Sequence, residues 1–304
     1  MSDSRPRGVF AGLATLDIVH RVIAPPARNE KITARMQFVA AGGPAANAAV
    51  TFAALGGRAT LITALGRSPV ARLIAAELES VRVEVIDVMP DLDAPAPVSS
   101  IAVSEESGDR AVIGGDAAGL VVPAPSTQML EAALQDSVVL LLDGHHPEVA
   151  AAAAEAAVAR RLPIVMDAGR WKPAFATLLP RATDVVMSAD FRMPDADDAA
   201  ATAAQLVSQG IPAVVATAGA DPVRWWSEGQ AGTVEVPQVH AVDTLAAGDV
   251  FHGAYAFALA RGADLKTRIA FAGSVAATRC GMIGPRSWLD AVAAIPLDPN
   301  RGDR

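Results

Sequence analysis

A single cysteine, Cys280, stands in 304 residues, so no intramolecular disulfide and no thiolate-rich metal centre can form, and a reducing cytoplasm suits the chain. Charged residues are scarce at 19% against 52% hydrophobic ones, which excludes a disordered tail and supports a large buried core. Basic residues are in deficit. Lys and Arg total 25 against 33 Asp and Glu, a formal net charge of −8, which argues against nucleic acid as the main partner, although one cleft can still be basic. The five histidines include no His-Glu-x-x-His pattern, which speaks against a zinc site. Residues 38–57 carry no charge, but Gly42, Gly43, Pro44 and Asn47 would put helix breakers and a polar amide in lipid, so no membrane span is read there. Arg5 and Arg7 before the apolar run Gly8 to Leu16 imitate a secretory signal weakly. A buried first strand fits that run better.

Several motifs are also missing. Lys266-Thr267 lacks the preceding glycine of a Walker loop, and neither Gly-x-Gly-x-x-Gly after the first strand nor a Gly-x-Ser-x-Gly elbow occurs. What is present is alternation. Apolar runs at Val9 to Thr15, Thr60 to Leu65, Val138 to Leu142, Ile164 to Asp167, Val185 to Met187 and Ala213 to Thr217 read as strands buried on both faces. Ala-rich stretches of helical length lie between them, such as Pro147 to Arg160 and Ala196 to Ser208. The expectation is one α/β domain over residues 1–304, with a doubly wound, mostly parallel sheet flanked by helices. Strand order is left open. Two excursions, about 18–39 and 97–115, interrupt the alternation with extended chain or hairpins, and together they read as a small β-sheet lid over a cleft.

Two glycine-led helix starts carry the chemistry. In the first, Gly42-Gly43-Pro44-Ala45-Ala46-Asn47 opens an apolar helix that ends at Gly56-Gly57. Pro44 suits the first helical position, and Asn47 falls in the first turn beside exposed N–H groups, where an amide can bond a polyhydroxylated ligand. A purely structural helix start fits the same residues. In the second, Asp243-Thr244-Leu245-Ala246-Ala247-Gly248-Asp249 leads a helix that stops near Arg261-Gly262. Small residues before a helix let a phosphate approach aligned N–H groups. A carboxylate at that place, Asp249, suits proton or cation handling, or else simply favours the helix dipole.

Together the two motifs resemble the ribokinase/PfkB family of carbohydrate kinases, over about Val9 to Arg286. The resemblance implies a ribokinase-like fold with a β lid. It implies Asp249 as catalytic base, kept ionised by the helix dipole, and Ala246, Ala247 and Gly248 as the anion hole. Asp17, Gly43 and Asn47 would bind the sugar, and Thr217 with Gly219 the nucleotide. Lys31 and Arg110 in the lid are candidates for gripping an anionic sugar, or are ordinary solvated charges. Two departures stand out. Ala246 replaces a family glycine and is tolerable if its φ stays negative. Ser188-Ala189-Asp190-Phe191 replaces the family's magnesium-associated Asn-x-x-Glu, so the metal ligands are not assigned. Ser274 to Gly281, the Asp243-Thr244 start and Gly108-Asp109-Arg110 look most like ketohexokinases and bacterial sulfofructose kinases.

The resulting expectation is ATP-dependent transfer of a phosphoryl group to a hydroxyl of a small sugar, a ketohexose or a relative of one. ATP and Mg2+ are the implied cofactors, with a monovalent cation as a further candidate. A nucleoside kinase of the same fold is the first alternative, disfavoured by the aromatic content of 4%. A sensor that has lost turnover through Ala246 and Ser188 is the second. Exposed lid edges leave room for a homodimer.

Overall fold

The computed structural model describes residues 5–117 and 119–297. In chain order it contains β1 (Arg7–Ala11), β2 (Thr15–Val22), β3 (Met36–Gly42), α1 (Pro44–Ala54), β4 (Arg58–Thr63), α2 (Pro69–Ser80), β5 (Val83–Asp87), β6 (Val98–Ser104) and β7 (Arg110–Gly114). These are followed by α3 (Thr127–Leu134), β8 (Val139–Leu142), α4 (Pro147–Ala159), β9 (Ile164–Ala168), α5 (Phe175–Leu178), β10 (Asp184–Met187), α6 (Ala199–Ser208) and β11 (Ala213–Ala218). The chain continues through β12 (Asp221–Ser227), β13 (Gln230–Val234), α7 (Ala247–Ala260), α8 (Leu265–Cys280) and α9 (Leu289–Ala293).

The large sheet has the order β13-β12-β11-β10-β9-β8-β1-β4-β5. From β11 to β5 every pairing is parallel. Because strand side chains alternate sides, neighbouring residues of one strand enter different cores. Phe10, Leu141, Val165 and Val186 pack with α1, α2, α7 and α8 on one face. Val9, Leu140, Met166 and Val185 pack with α3, α4, α5 and α6 on the other. This double burial explains why the strands read as continuous apolar runs, and it makes the α/β expectation correct. Three details differ from the sequence reading. The first apolar run splits, with β1 ending at Ala11 and β2 beginning at Thr15 in a different sheet. The antiparallel edge β12–β13 was not anticipated, since its Trp225 and Trp226 are flanked by polar residues. The half-buried β5, VEVID, was also missed.

The second sheet has the order β3-β2-β6-β7 and uses both excursions. Its inner face carries Asp17, Val19 and Arg21 in register with Ser99, Ile101 and Val103, the last of which pairs with Arg110. Val19, Ile101 and Val103 pack on Leu245, with Phe38 and Ala246 against them. The β6–β7 turn is fastened to the core, because the Thr244 N–H and hydroxyl both donate to the Gly108 carbonyl, at 3.1 and 2.9 Å. Arg21 adds a bond from Nη1 to the Val242 carbonyl at 2.8 Å. The lid therefore rests directly on the second glycine-led motif.

Candidate active site

In the large sheet, β1 and β8 are neighbours from which the chain winds outward in opposite directions, and such a switch point opens a crevice at the carboxyl ends of the strands. Asp143, just past β8, closes its floor. Its carboxylate accepts from the N–H groups of Leu13 at 2.9 Å, Ala45 at 3.2 Å and His145 at 2.8 Å. Burial alone would push its pKa up, but the His145 charge, the Lys172 charge and these donors overcome that and hold it well below the usual carboxylate range. Asp143 thus ties the β1–β2 turn to the start of α1. There Gly43 is the N-cap with φ 96°, and a Cβ would overlap the Leu13 carbonyl, so only glycine fits. Pro44 opens the helix as expected, and Asn47 lies one turn in.

α7 approaches the same crevice. Ala246 is its N-cap in the left-handed region, φ 58° and ψ 16°, contrary to the negative φ that would have made alanine comfortable there. Beyond it the Ala247 N–H donates to the Thr244 carbonyl at 3.3 Å, and the Gly248 N–H opens the helix. A Cβ on Gly248 would meet no protein atom within 4 Å, so space within the protein does not require glycine, whereas a ligand brought against the backbone would. Asp249 follows, half-buried, and its Oδ2 accepts from Asn47 Nδ2 at 2.9 Å. The two glycine-led motifs are therefore joined by one hydrogen bond. The expectation of an Asp249 pKa lowered by the helix dipole is overturned. Burial and the neighbouring Asp167 carboxylate push it up to about 7, outweighing Asn47, His252 and Arg110.

Asp167 and His252 had no place in the sequence reading. Asp167 sits near the carboxyl end of β9, and His252 lies on α7 three residues after Asp249, on the same helix face. Burial and the Asp143 charge push Asp167 up to about 7 against Lys172 and His145. Two signals were available: a carboxylate ending a parallel strand, and an Asp-x-x-His spacing on a predicted helix.

Asp243, the first aspartate of the second motif, is fully enclosed. It accepts from Leu245 N–H and Gly284 N–H, each at 3.0 Å, and pairs with buried Arg279 at 3.1 Å. It thereby shapes the loop that ends at Ala246. A narrow cleft between lid and core is lined by Asp17, Asn47, Leu245, Ala246, Arg286 and Trp288 among others. Asp17 is buried, accepts from Thr15 Oγ1 at 2.7 Å and has its pKa raised by that burial. Arg286, also overlooked, reaches this cleft while bonded to Glu77 at 2.7 Å and to the Ala41 carbonyl at 2.6 Å. Arg110 bonds Thr244 Oγ1 at 3.2 Å, and its charge reaches Asp249. Lys31 lies elsewhere, on the exposed β2–β3 connection, and makes no hydrogen bond or ion pair among the described residues. Thr217 and Gly219 are at the exposed end of β11, where Thr217 Oγ1 donates to the Met187 carbonyl at 3.4 Å. Ser188 donates to the Gly169 carbonyl at 2.6 Å, and Asp190 is exposed. A wider cavity, lined by Arg7, Arg82 and Glu84 among others, lies at the opposite end of the sheet, away from these groups.

A divalent ion fits one place among the described residues. Asp167, Asp249 and His252 each offer a ligand atom, all within 4.8 Å of one another. Asp167 Oδ2 and His252 Nδ1 are buried without a hydrogen-bond partner.

A doubly wound sheet, a β lid and a carboxylate at an open helix N-terminus define a small-molecule kinase of the α/β class. The chain belongs to the pfkB family of carbohydrate kinases, whose model matches residues 9–291. It is 25% identical over 231 residues to a ribokinase of Staphylococcus aureus, covering 73% of this chain and 76% of the relative. The fold is similar to Arabidopsis thaliana ribokinase complexed with ribose and ATP, with TM-score 0.73 and 19% identity over 97% of this chain and 100% of that one. It is also similar to Giardia lamblia ribokinase, with TM-score 0.80 and 17% identity over 95% and 98%. A microbiome-derived acarbose kinase gives TM-score 0.80 at 20% identity over 96% and 100%. The protein is an ATP-dependent sugar kinase. No helix of the described residues is long and apolar enough to cross a membrane.

Proposed function

We propose that this kinase transfers the γ-phosphoryl group of ATP to a hydroxyl of a ketohexose or a related small sugar, with Asp249 as the base. The observation that carries the reading is the position of Asp249, bonded to Asn47 and set beside the opened N-terminus of α7. The sugar lies in the cleft of Asp17, Gly43 and Asn47 under the lid, and the nucleotide runs from the Ala246–Gly248 turn toward Thr217 and Gly219. Phosphoryl transfer leaves little covalent work to the protein, so positioning and charge stabilisation dominate. The Gly248 N–H points partial positive charge at the moving phosphoryl group, while the Ala247 N–H donates to the Thr244 carbonyl at 3.3 Å and holds the turn. Without a cation, burial and Asp167 push the Asp249 pKa up to about 7; with a cation beside it the pKa falls and the carboxylate stays ionised, ready to take the hydroxyl proton. Mg2+, when bound, neutralises phosphate charge, and Asp167 and Asp249 are the carboxylates that would hold it.

A sugar is favoured over a nucleoside because Phe38, the aromatic ring of the lid cluster, is already packed against the lid's own apolar residues. A second copy of the chain suits the outer lid surface, where Val39 is 60% and Ile113 79% exposed. The cytoplasm, where ATP is made and Cys280 stays reduced, is the matching compartment.

The test is turnover with MgATP over ketohexoses, aldopentoses, their phosphorylated or sulfonated forms and nucleosides, read as ADP release. Turnover confined to nucleosides, or none at all, overturns the reading. Within that panel, Arg110→Gln is expected to cost an anionic sugar about 1.5–3 kcal/mol more than its neutral analogue, whereas Lys31→Gln treats both alike.

A further inference from the structure

The mechanism above leaves the pairing of Asp167 with His252 unused. His252 Nδ1 is 3.3 Å from Asp167 Oδ2, and the side chains are 5% and 6% exposed. The other ring nitrogen, Nε2, lies 3.2 Å from the Val186 carbonyl. A carbonyl only accepts, so that contact places an N–H on Nε2, while Nδ1 faces Asp167 with the Gly248 backbone also near the ring. Two buried polar atoms then face each other, neither with a hydrogen-bond partner, and the pair is satisfied either by a proton held between them or by a cation that both ligate. The cations whose charges reach Asp167 do not supply it. Lys172 Nζ is bonded to the Asp143 carbonyl at 2.9 Å, and His145 faces the Asp143 carboxylate at 3.2 Å.

The same atoms have the form of a metal site. A metal-binding imidazole ordinarily donates its second N–H to a carbonyl or carboxylate, which fixes the ring. The Val186 carbonyl does this for His252, and Asn47 Nδ2 does the equivalent for the Asp249 carboxylate at 2.9 Å. Ligands held about 2.1 Å from an ion and 3.3 Å apart subtend roughly 100° at it, between the octahedral and tetrahedral angles. The full set lies within 4.8 Å, whereas opposed ligands of one ion are about 4.2 Å apart, so side-chain shifts of at most a few tenths of an ångström would close one coordination sphere.

We propose that Asp167, Asp249 and His252 form a preassembled site that binds a divalent ion directly to the protein before any nucleotide arrives, and that the His252 nitrogen makes it prefer a borderline first-row ion such as Mn2+ over Mg2+. Mg2+ favours all-oxygen shells and sheds water reluctantly, whereas imidazole binds first-row transition ions. The proposal rests on the kinase reading for its use in turnover, though not for binding itself.

The experiment uses the full chain, stripped with chelator and free of nucleotide, titrated with Mn2+ alone and followed by paramagnetic resonance. A single bound Mn2+ showing hyperfine coupling to a directly ligated nitrogen is expected, with Mg2+ a weak competitor. His252→Gln should lose the nitrogen coupling and weaken binding at least about 100-fold, and His20→Gln, on the lid, should keep both. The wild-type nitrogen signal decides the matter even if the His252 variant does not fold. No Mn2+ binding without nucleotide, oxygen-only ligation, or coupling that survives in a folded His252→Gln protein overturns the proposal. MgATP turnover on the sugar panel, measured on the same preparation, shows separately whether the kinase reading stands.

Discussion

Asp184 and Asp167 are buried aspartates on adjacent parallel strands, 4% and 5% exposed, yet they sit at opposite ends of the sheet and in opposite electrostatic conditions. Asp184 opens β10. Its Oδ1 accepts from the Tyr255 hydroxyl and from Arg268 Nη1, both at 2.6 Å, and its Oδ2 accepts from Thr183 Oγ1 at 2.8 Å. Asp167, near the end of β9, has an Oδ2 with no donor and a second carboxylate beside it. α7 serves both ends, since Asp249, His252 and Tyr255 recur every three residues and face the sheet together. The contrast separates structure from chemistry. Where only stability is at stake the charge is matched within the protein, and at the end where we propose that ligands bind it is left unmatched.

The largest effect expected at the unmatched end is on turnover. Asp249→Asn keeps the shape and can still accept the Asn47 bond, but it cannot take a proton, so kcat should fall by about 10²–10⁴ while the protein stays folded. Steady-state kinetics together with a melting curve check both halves. Near-normal kcat in folded Asp249→Asn protein would reduce Asp249 to a helix-start carboxylate. At the matched end the loss should be in stability. Asp184→Ala strands a guanidinium and a phenol, so unfolding should become easier by about 3–5 kcal/mol, with turnover per folded molecule retained. Denaturant melts read the first and active-site-normalised rates the second.

Strands buried on both faces, such as VLLL at Val139–Leu142, were legible because both cores demand apolar residues. The excursions were legible because alternating segments such as Val98 to Val103 fit no parallel strand of that kind. Asn47 and Asp249 were found through glycine, whose geometric demands leave a mark in sequence. Asp143, Asp167 and His252 were not, because their significance lies in contacts across elements: Asp143 bonds Leu13, 130 residues away, and His252 meets a strand 66 residues earlier. Arg110 and Lys31 looked equivalent in the lid, and only the register that pairs Arg110 with Val103 separates them.

A smaller effect sharpens the contrast by reversing sign. Burial and the Asp143 charge push the Asp167 carboxyl up to about 7 in the folded chain, well above the ordinary carboxylate value of about 4, so between these values the folded state holds the extra proton. Its contribution to stability therefore falls as pH rises from about 4 to about 7. Asn does not titrate. In chelator, Asp167→Asn should match the wild type near pH 4 and exceed it at pH 8 by about 1–3 kcal/mol, whereas saturating Mn2+ should restore the advantage to the wild type. A variant less stable than the wild type at pH 8 in chelator would mean that Asp167 is as well matched as Asp184.

The smallest effect concerns Ala246, which stands between the two regimes, since it caps the helix that carries Asp249 and also packs on the lid. A left-handed alanine costs about 1–2 kcal/mol relative to its right-handed form, and glycine would not pay that cost. Two losses oppose the gain. The methyl group joins Val19, Ile101, Val103 and Leu245 in the lid cluster, and burying such a group contributes about 0.8 kcal/mol. Glycine also loses more chain entropy on folding, about 0.5–1 kcal/mol. The terms nearly cancel, so Ala246→Gly should change stability by less than about 1 kcal/mol. Its mark should fall on the lid: fewer contacts at Leu245 and Ala246 predict faster amide hydrogen exchange in β2 and β6, with exchange in β9 and β10 unchanged. A large stability gain would mean that the methyl contributes no packing and that strain alone governs the turn. Unchanged exchange in the lid would show that Ala246 does not couple the turn before α7 to the strands above it.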